Sequence, residues 1–230
     1  MNKTGGQGAG ALGEREKAVQ SLMGKVRGEL LPQLAIRSVN PREPVEVLFV
    51  PKPWRLVGAG NYAAVVLHPE EPGKVVKVYA EGRPGLQEEI EVYRRLGRHP
   101  AFSECYGAGE SFLVLRRLAG VTIYECLRKG IRIPETVIRD IDDALAYARR
   151  RGLRPHDVHG KNIMMMDGRG AVVDVSDFLK EEPCIMWSDF KKSYYALYKP
   201  LLLLGLTFPI PDGWLNMLRK GYRLIRRRES

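Results

Sequence analysis

Cysteine is scarce in this chain, and what there is forms no pattern. Cys105, Cys126 and Cys184 are odd in number and widely spaced, which argues against a disulfide framework or a thiolate zinc site and leaves packing as their expected role. The four histidines, His68, His99, His156 and His159, stand at no metal-ligand spacing with them. Long apolar runs are missing as well. The longest, Leu201 to Ile210, is broken by Gly205 and Pro209 and is too short to span a bilayer, and Met1 to Gly13 is polar and glycine-rich without an apolar export core. A cytoplasmic protein with no transmembrane segment is therefore expected. There is no low-complexity tract and no internal repeat of solenoid length. What is present is 230 residues, 44% of them apolar, enough for one sizeable core or for two small lobes around a cleft.

Acidic charge is the minority sign. Lys and Arg number 37 against 27 Asp and Glu, a net +10, and half of that excess lies in Gly213 to Ser230, which carries six basic side chains and one acidic. Trp214, Leu215, Leu218, Tyr222 and Ile225 recur there at near-helical spacing, so residues 213–230 read as a basic amphipathic helix. Such a helix either packs its apolar face on the rest of the protein or makes weak, salt-sensitive contact with anionic lipid or nucleic acid.

The most informative stretch is His156-Asp157-Val158-His159-Gly160-Lys161-Asn162, followed twelve residues after the Asn by Asp174 at the end of the apolar run Ala171-Val172-Val173. Transfer of a phosphoryl group from a nucleoside triphosphate needs hard oxygen ligands for magnesium and a group that aims the attacking hydroxyl. Asp157 suits the acceptance of that hydroxyl's proton, and Asn162 and Asp174 suit the metal. Ile163 to Met166 and the run before Asp174 read as two short strands joined by Asp167-Gly168-Arg169-Gly170, a hairpin that brings Asn162 and Asp174 side by side. An Asp and an Asn at this spacing are also ordinary loop residues, so corroboration is needed from elsewhere in the chain.

It comes from upstream. Val57-Gly58-Ala59-Gly60-Asn61-Tyr62-Ala63-Ala64-Val65 is a glycine-containing turn between apolar strands, where Gly58 and Gly60 let backbone amides approach phosphate oxygens. Seventeen residues past Gly60, Lys77 alternates with apolar neighbours in Val75-Val76-Lys77-Val78-Tyr79. Leu86 to Leu96 is a helical pattern with Leu86, Ile90, Tyr93 and Leu96 on one face and Glu89 one turn before Tyr93, placed to pair with Lys77.

In this order the residues resemble the protein-kinase-like superfamily. Gly58 to Ala63 is similar to its glycine-rich loop, Val75-Val76-Lys77 to its strand lysine, Glu89 to its helix glutamate, Asp157 to Asn162 to its catalytic loop and Asp174 to its metal-binding aspartate. The resemblance runs from roughly Val57 to about Leu204. It implies ATP and magnesium as cofactors, an alcohol group of a protein or of a small molecule as acceptor, and backbone contacts to adenine from Arg116 to Leu118, with Leu115 beside the base. The roles it implies are catalytic for Asp157, Lys77 and Glu89, ATP-binding for Gly58, Gly60, Lys77, Arg116 and Leu118, and metal-binding for Asn162 and Asp174.

Departures from the family pattern narrow the comparison. Ala63 stands where a third glycine is usual. His156 replaces the arginine that reads phosphorylation of an activation loop, which implies that this switch is absent. His159 replaces a lysine common in Ser/Thr kinases and resembles aminoglycoside phosphotransferases and other small bacterial kinases. Val175-Ser176 follows Asp174 in place of Phe-Gly, and Asp177-Phe178 offers a competing register for the magnesium aspartate. Ser188 comes only fourteen positions after Asp174, too few for a long regulatory segment. Asp189, in a helical stretch from Trp187 to Leu204, resembles the buried aspartate that ties this helix to the catalytic loop. The shortened lower half is similar to Rio-type kinases and to compact bacterial kinase-like proteins.

The expected fold is α+β, a two-lobed protein-kinase-like fold with a small antiparallel sheet N-lobe and a shortened helical C-lobe. Residues 1–45 read as an N-terminal extension, partly helical, from the period of Val19, Leu22, Met23, Val26 and Leu30 within Glu14 to Arg37. Residues 46–115 read as the N-lobe, 116–212 as the C-lobe and 213–230 as the basic tail. Pro134 to Arg151, with Val137, Ile138, Ile141 and Leu145 on one face and Gly152 as terminator, is a helix that leads the chain onto Asp157. A compact serine/threonine protein kinase is the function this reading favours. A small-molecule kinase and a non-catalytic nucleotide-binding scaffold are the alternatives.

Overall fold

The computed structural model describes residues 7–41 and 43–213; the amphipathic tail read from residues 213–230 lies, Gly213 apart, outside them. The chain divides into two compact units, one formed by Met1–His99 with Ser103–Arg117 and the other by Pro100–Phe102 with Leu118–Ser230. Helices and antiparallel strands are segregated within them, which makes the fold α+β. No helix among the described residues is long and apolar enough to cross a membrane.

The first unit is built on a five-stranded antiparallel sheet. Strands β3 (Arg55–Ala59), β4 (Ala63–Leu67), β5 (Lys74–Tyr79), β6 (Cys105–Ala108) and β7 (Phe112–Arg116) lie in the order β3-β4-β5-β7-β6. A separate pair, β1 (Ala35–Arg37) and β2 (Glu46–Phe49), precedes it. The opening helix α1 (Gln7–Lys25) runs on through a π-helical turn, Val26–Leu30. Its apolar stripe, Val19, Leu22, Met23, Val26 and Leu30, packs with Trp54, Val66, Val76, Val78, Phe112 and Val114 in one buried cluster. Complete burial of side chains of this size contributes about 1.5–3 kcal/mol each, which makes the helix an integral layer of the unit. The fit is close: a Cβ on Gly107 of β6 would meet Met23 Sδ at 2.8 Å. The helical period expected through Arg37 stops earlier, because Ala35–Arg37 pairs with Glu46–Phe49 as a strand.

Helix α2 (Leu86–Leu96) completes this unit with the bounds its sequence implies. Gly85 begins it at φ 108° and Gly97 ends it at φ 60°, both in the left-handed region where a Cβ is unfavourable. Val92, Tyr93 and Leu96 are buried on its inner face, together with Glu89.

The second unit is organised by the helix α4 (Glu135–Arg150), which follows the short strand β8 (Val121–Thr122) and helix α3 (Ile123–Lys129). Pro134, in extended conformation, is the α4 N-cap, and Val137, Ile138, Ile141, Ala144, Leu145 and Ala148 are buried along one stripe. Against it lies the hairpin of β9 (Ile163–Met166) and β10 (Arg169–Val172). Its turn is shorter than the tetrapeptide expected, because Asp167 at φ 48° and Gly168 at φ 75° alone make it, the two positive dihedrals that a tight hairpin requires. Arg169 and Gly170 therefore belong to β10. The helical stretch expected from Trp187 to Leu204 comprises α5 (Met186–Ser193), a π-helical turn at Tyr194–Tyr198 and α6 (Lys199–Leu203). Asp142 on α4 fixes it, accepting from Trp187 Nε1 at 2.7 Å and from Lys191 Nζ at 3.0 Å.

Candidate active site

Each unit carries a set of chemistry-bearing side chains. In the first, β5 alternates its residues between the two faces of the sheet, and Lys77 and Tyr79, two apart, share the face that meets α2. Lys77 Nζ lies 2.7 Å from Glu89 Oε2, and the Tyr79 hydroxyl donates to the same carboxylate oxygen. Lys77 is 8% exposed and Glu89 0%. Ions this deeply buried persist only when paired and hydrogen-bonded, so the sequence expectation of a Lys77–Glu89 pair is met by the geometry.

Gly58 lies on β3 and Gly60 in the turn toward β4. A Cβ at Gly58 would meet nothing within 4 Å, and one at Gly60 only the Ala63 carbonyl at 4.0 Å, so packing within the chain does not require glycine at either place. The Gly60 amide donates to Ala63 O at 2.9 Å, which assigns it to closing the turn. Arg116 ends β7; its amide donates to Glu104 O at 2.8 Å and its carbonyl accepts from Ser103 Oγ at 2.7 Å. Leu118 is the first residue of the second unit after β7.

In the second unit, the segment after α4 is anchored where Arg154 N donates to Phe178 O at 2.8 Å. Asp157 follows at φ 54°, a left-handed conformation that aspartate tolerates better than most residues and that is held here by its neighbours. Asn162 Nδ2 donates to the Asp157 carbonyl at 3.0 Å, and Asn162 N donates to His159 O at 2.8 Å. Ile163 pairs with Val172 across the hairpin, and Val173 N donates to Asn162 O at 3.0 Å. The hairpin thus delivers Asn162 and the Asp174 backbone to its one open end. Asp174 Oδ1 accepts the Ser176 amide at 3.1 Å, and Asp177 is paired with Lys180 at 2.8 Å.

The carboxyl of Asp157 is held above the ordinary aspartate range. Burial is the largest cause, with the nearby carboxylates of Asp177 and Asp174 adding to it, while His159 and His156 act in the opposite direction. His159 Nε2 stands 3.7 Å from Asp157 Oδ1, and its Nδ1 faces the Lys161 amide at 3.3 Å. Lys161 itself turns its ammonium over the Tyr124 ring, 4.6 Å from the centroid. Asp189 is only partly buried, its carboxylate 28% exposed and 3.7 Å from Lys192. The cysteines are free, and burial pushes the Cys105 thiol up to about 11 and the Cys126 thiol upward as well, as suits packing residues.

Asn162 and Asp174 offer hard oxygen donors of the kind magnesium prefers. With Nδ2 of Asn162 committed to Asp157, its amide oxygen is the atom left for a ligand's role. No group of three or more His, Cys, Asp or Glu side chains among the described residues forms a metal cage. A site of one carboxylate and one amide suits a magnesium ion that shares its coordination with phosphate and water. Tyr79 joins the Lys77–Glu89 pair through its hydroxyl, although no motif in the sequence singles it out. Its one sequence signal is its position two residues after Lys77, on the same strand face.

Comparison with known proteins places these observations. No family model matches the chain. The chain is 34% identical over 173 residues to a Bacillus subtilis (strain 168) protein named "Putative serine/threonine-protein kinase YrzF", covering 73% of this chain and 78% of that protein. Among solved structures, the PknI kinase domain of Mycobacterium tuberculosis, in a cysteine-to-alanine form, is 26% identical with a TM-score of 0.42, over 56% of this chain and 59% of that one. A double mutant of the same domain gives 23% identity and a TM-score of 0.38 over 56% of this chain and 58% of that one. The match thus spans less than two thirds of either solved chain.

Proposed function

The chain belongs to the protein-kinase-like superfamily, and on that premise we propose that it is an ATP- and magnesium-dependent phosphotransferase acting on a serine or threonine hydroxyl of a protein. The observation that carries the reading is the buried Lys77–Glu89 pair, 2.7 Å between Nζ and Oε2. A strand lysine held inside a sheet unit by a fully buried helix glutamate is a costly arrangement for stability alone, and a cation fixed in this way suits phosphate oxygens.

In this reading Lys77 holds the nonterminal phosphates and Glu89 orients it, while Gly58 and Gly60 let the backbone come close to them. Leu118 serves as the adenine contact ahead of Arg116, whose amide and carbonyl are both engaged within the first unit. Asn162 and Asp174 are the residues that would hold magnesium, which supplies neutralisation of phosphate charge when bound. Asp174 is preferred to Asp177 for that role because the strand Arg169–Val172 leads the chain directly onto it. Asp157 takes the proton of the acceptor hydroxyl as its oxygen bonds to the terminal phosphorus and ADP leaves; a carboxylate whose basicity is raised by burial suits the task.

Transfer to a small-molecule hydroxyl is a second reading, favoured by His159 beside Asp157 at 3.7 Å in place of the lysine of Ser/Thr kinases. The phosphotransferase reading is tested by magnesium-dependent ADP formation in the wild type, Asp174→Ala and Asp177→Ala. Loss in Asp174→Ala with retention in Asp177→Ala is expected. The reverse pattern moves the metal role to Asp177, and ADP formation indifferent to magnesium contradicts the proposal.

A further inference from the structure

We infer that Tyr79 is a positioning residue for the Lys77–Glu89 pair, its hydroxyl holding the Glu89 carboxylate so that the Lys77 ammonium stays available to phosphate. The inference rests on the reading of Lys77 as the phosphate-binding cation.

Three observations carry it. Tyr79 and Lys77 occupy one face of β5 and reach the same oxygen, Glu89 Oε2, so they are competing donors to a single buried charge. Tyr79 is 5% exposed and Glu89 0%, which keeps water from substituting for the hydroxyl. The direction of the hydroxyl hydrogen is settled by the second acceptor in its reach. Gly85 O lies 3.5 Å from the Tyr79 oxygen, at the limit of a hydrogen bond, and already accepts the Glu89 amide at 2.9 Å. A phenol has one hydrogen to give, and an ionised carboxylate is the stronger acceptor.

The consequence is electrostatic. A carboxylate compensated only by ammonium groups draws on their full charge, and a lysine so held has less left for a second anion. A neutral donor on the same oxygen satisfies part of the carboxylate without adding a cation. Lys77 then binds Glu89 strongly enough to be fixed and loosely enough to be shared. Phenylalanine at position 79 keeps the ring and its packing and removes only this donor, so Tyr79→Phe separates positioning from core filling.

The test is calorimetric titration of the full chain, wild type and Tyr79→Phe, with ATP in magnesium and separately with adenosine. ATP affinity is expected to fall about tenfold in the variant, the scale of one charge-assisted hydrogen bond, with adenosine affinity unchanged. Equal ATP affinity in the two proteins overturns the inference. So does parallel weakening of ATP and adenosine, which marks a purely structural role. A wild-type protein that binds neither compound contradicts the phosphotransferase reading itself, and the inference falls with it.

Discussion

The side-chain amide of Asn162 donates to the carbonyl oxygen of Asp157 across 3.0 Å, closing the loop between the two residues. The bond explains why the spacing between them matters. Asp157 sits at φ 54°, a conformation that costs free energy, and the far end of its own loop supplies a donor that holds it there. The same bond commits the Asn162 Nδ2 and so orients its amide. One side chain thus fixes the conformation of the proposed base and the orientation of the amide proposed to hold magnesium.

Replacing Asn162 by alanine is therefore expected to act twice. Loss of the bond costs about 1 kcal/mol of stability, read as a lowered denaturant midpoint, and phosphoryl transfer falls to background. A variant with normal turnover removes Asn162 from the site.

Asp157→Asn separates stability from activity. Asparagine accepts the left-handed conformation as readily as aspartate, so no strain is introduced. An aspartate whose folded-state pKa is raised above its unfolded value loses stability as pH rises from the unfolded value through the folded one. At neutral pH the wild type carries that loss and the variant does not. Melting temperature at pH 7 is expected to be higher for Asp157→Asn, with the difference closing below about pH 4, the ordinary aspartate range. Turnover falls by about 100-fold or more, as for loss of a general base. A variant less stable than wild type at pH 7 contradicts the assigned cause of the shift.

The buried ion pair makes a prediction about stability alone. Lys77→Met removes a cation 2.7 Å from the fully buried Glu89, and breaking such a pair costs about 3–5 kcal/mol. The double variant Lys77→Met with Glu89→Leu removes both charges and is expected to recover most of that loss in chemical denaturation, while remaining inactive. Equal destabilisation by the single and the double variant argues against the pair as the source.

Two glycines of the second unit mark close backbone approaches. A Cβ at Gly120 would lie 2.3 Å from Met165 O, and one at Gly170 would lie 2.7 Å from Val137 O. Alanine at either position forces β8 from β9, or β10 from α4, at a cost of about 1–3 kcal/mol. Thermal melting of the two variants checks it, with Gly58→Ala, where a Cβ meets nothing within 4 Å, as the neutral control.

The parts of the fold legible in the sequence are those with a strong local signal. Leu86–Leu96 carries a clear helical period between two glycines, and the turn at Asp167-Gly168 has the chemistry of a tight hairpin. β1 and β6 are not legible, because Ala35–Arg37 is too short for alternation to show, and Cys105–Ala108 reads Cys-Tyr-Gly-Ala, with little strand character, and pairs with β7 through an irregularity between Cys105 and Gly107. Lys77 and Glu89 were readable as a pair from strand-then-helix order. Tyr79 was not, since a tyrosine ending an apolar strand looks like a core residue until its hydroxyl is seen on Glu89. The occupied backbone of Arg116 was equally invisible, because it depends on Ser103 and Glu104, which no local pattern connects to it.

The phosphotransferase proposal stands or falls on incubating the purified protein with magnesium and ATP, beside Asp157→Asn, and measuring ADP release and intact mass. ADP and added phosphate on protein are expected in the wild type, with both reduced about 100-fold or more in the variant. ADP release that is equal in the two proteins, or absent from both, contradicts it.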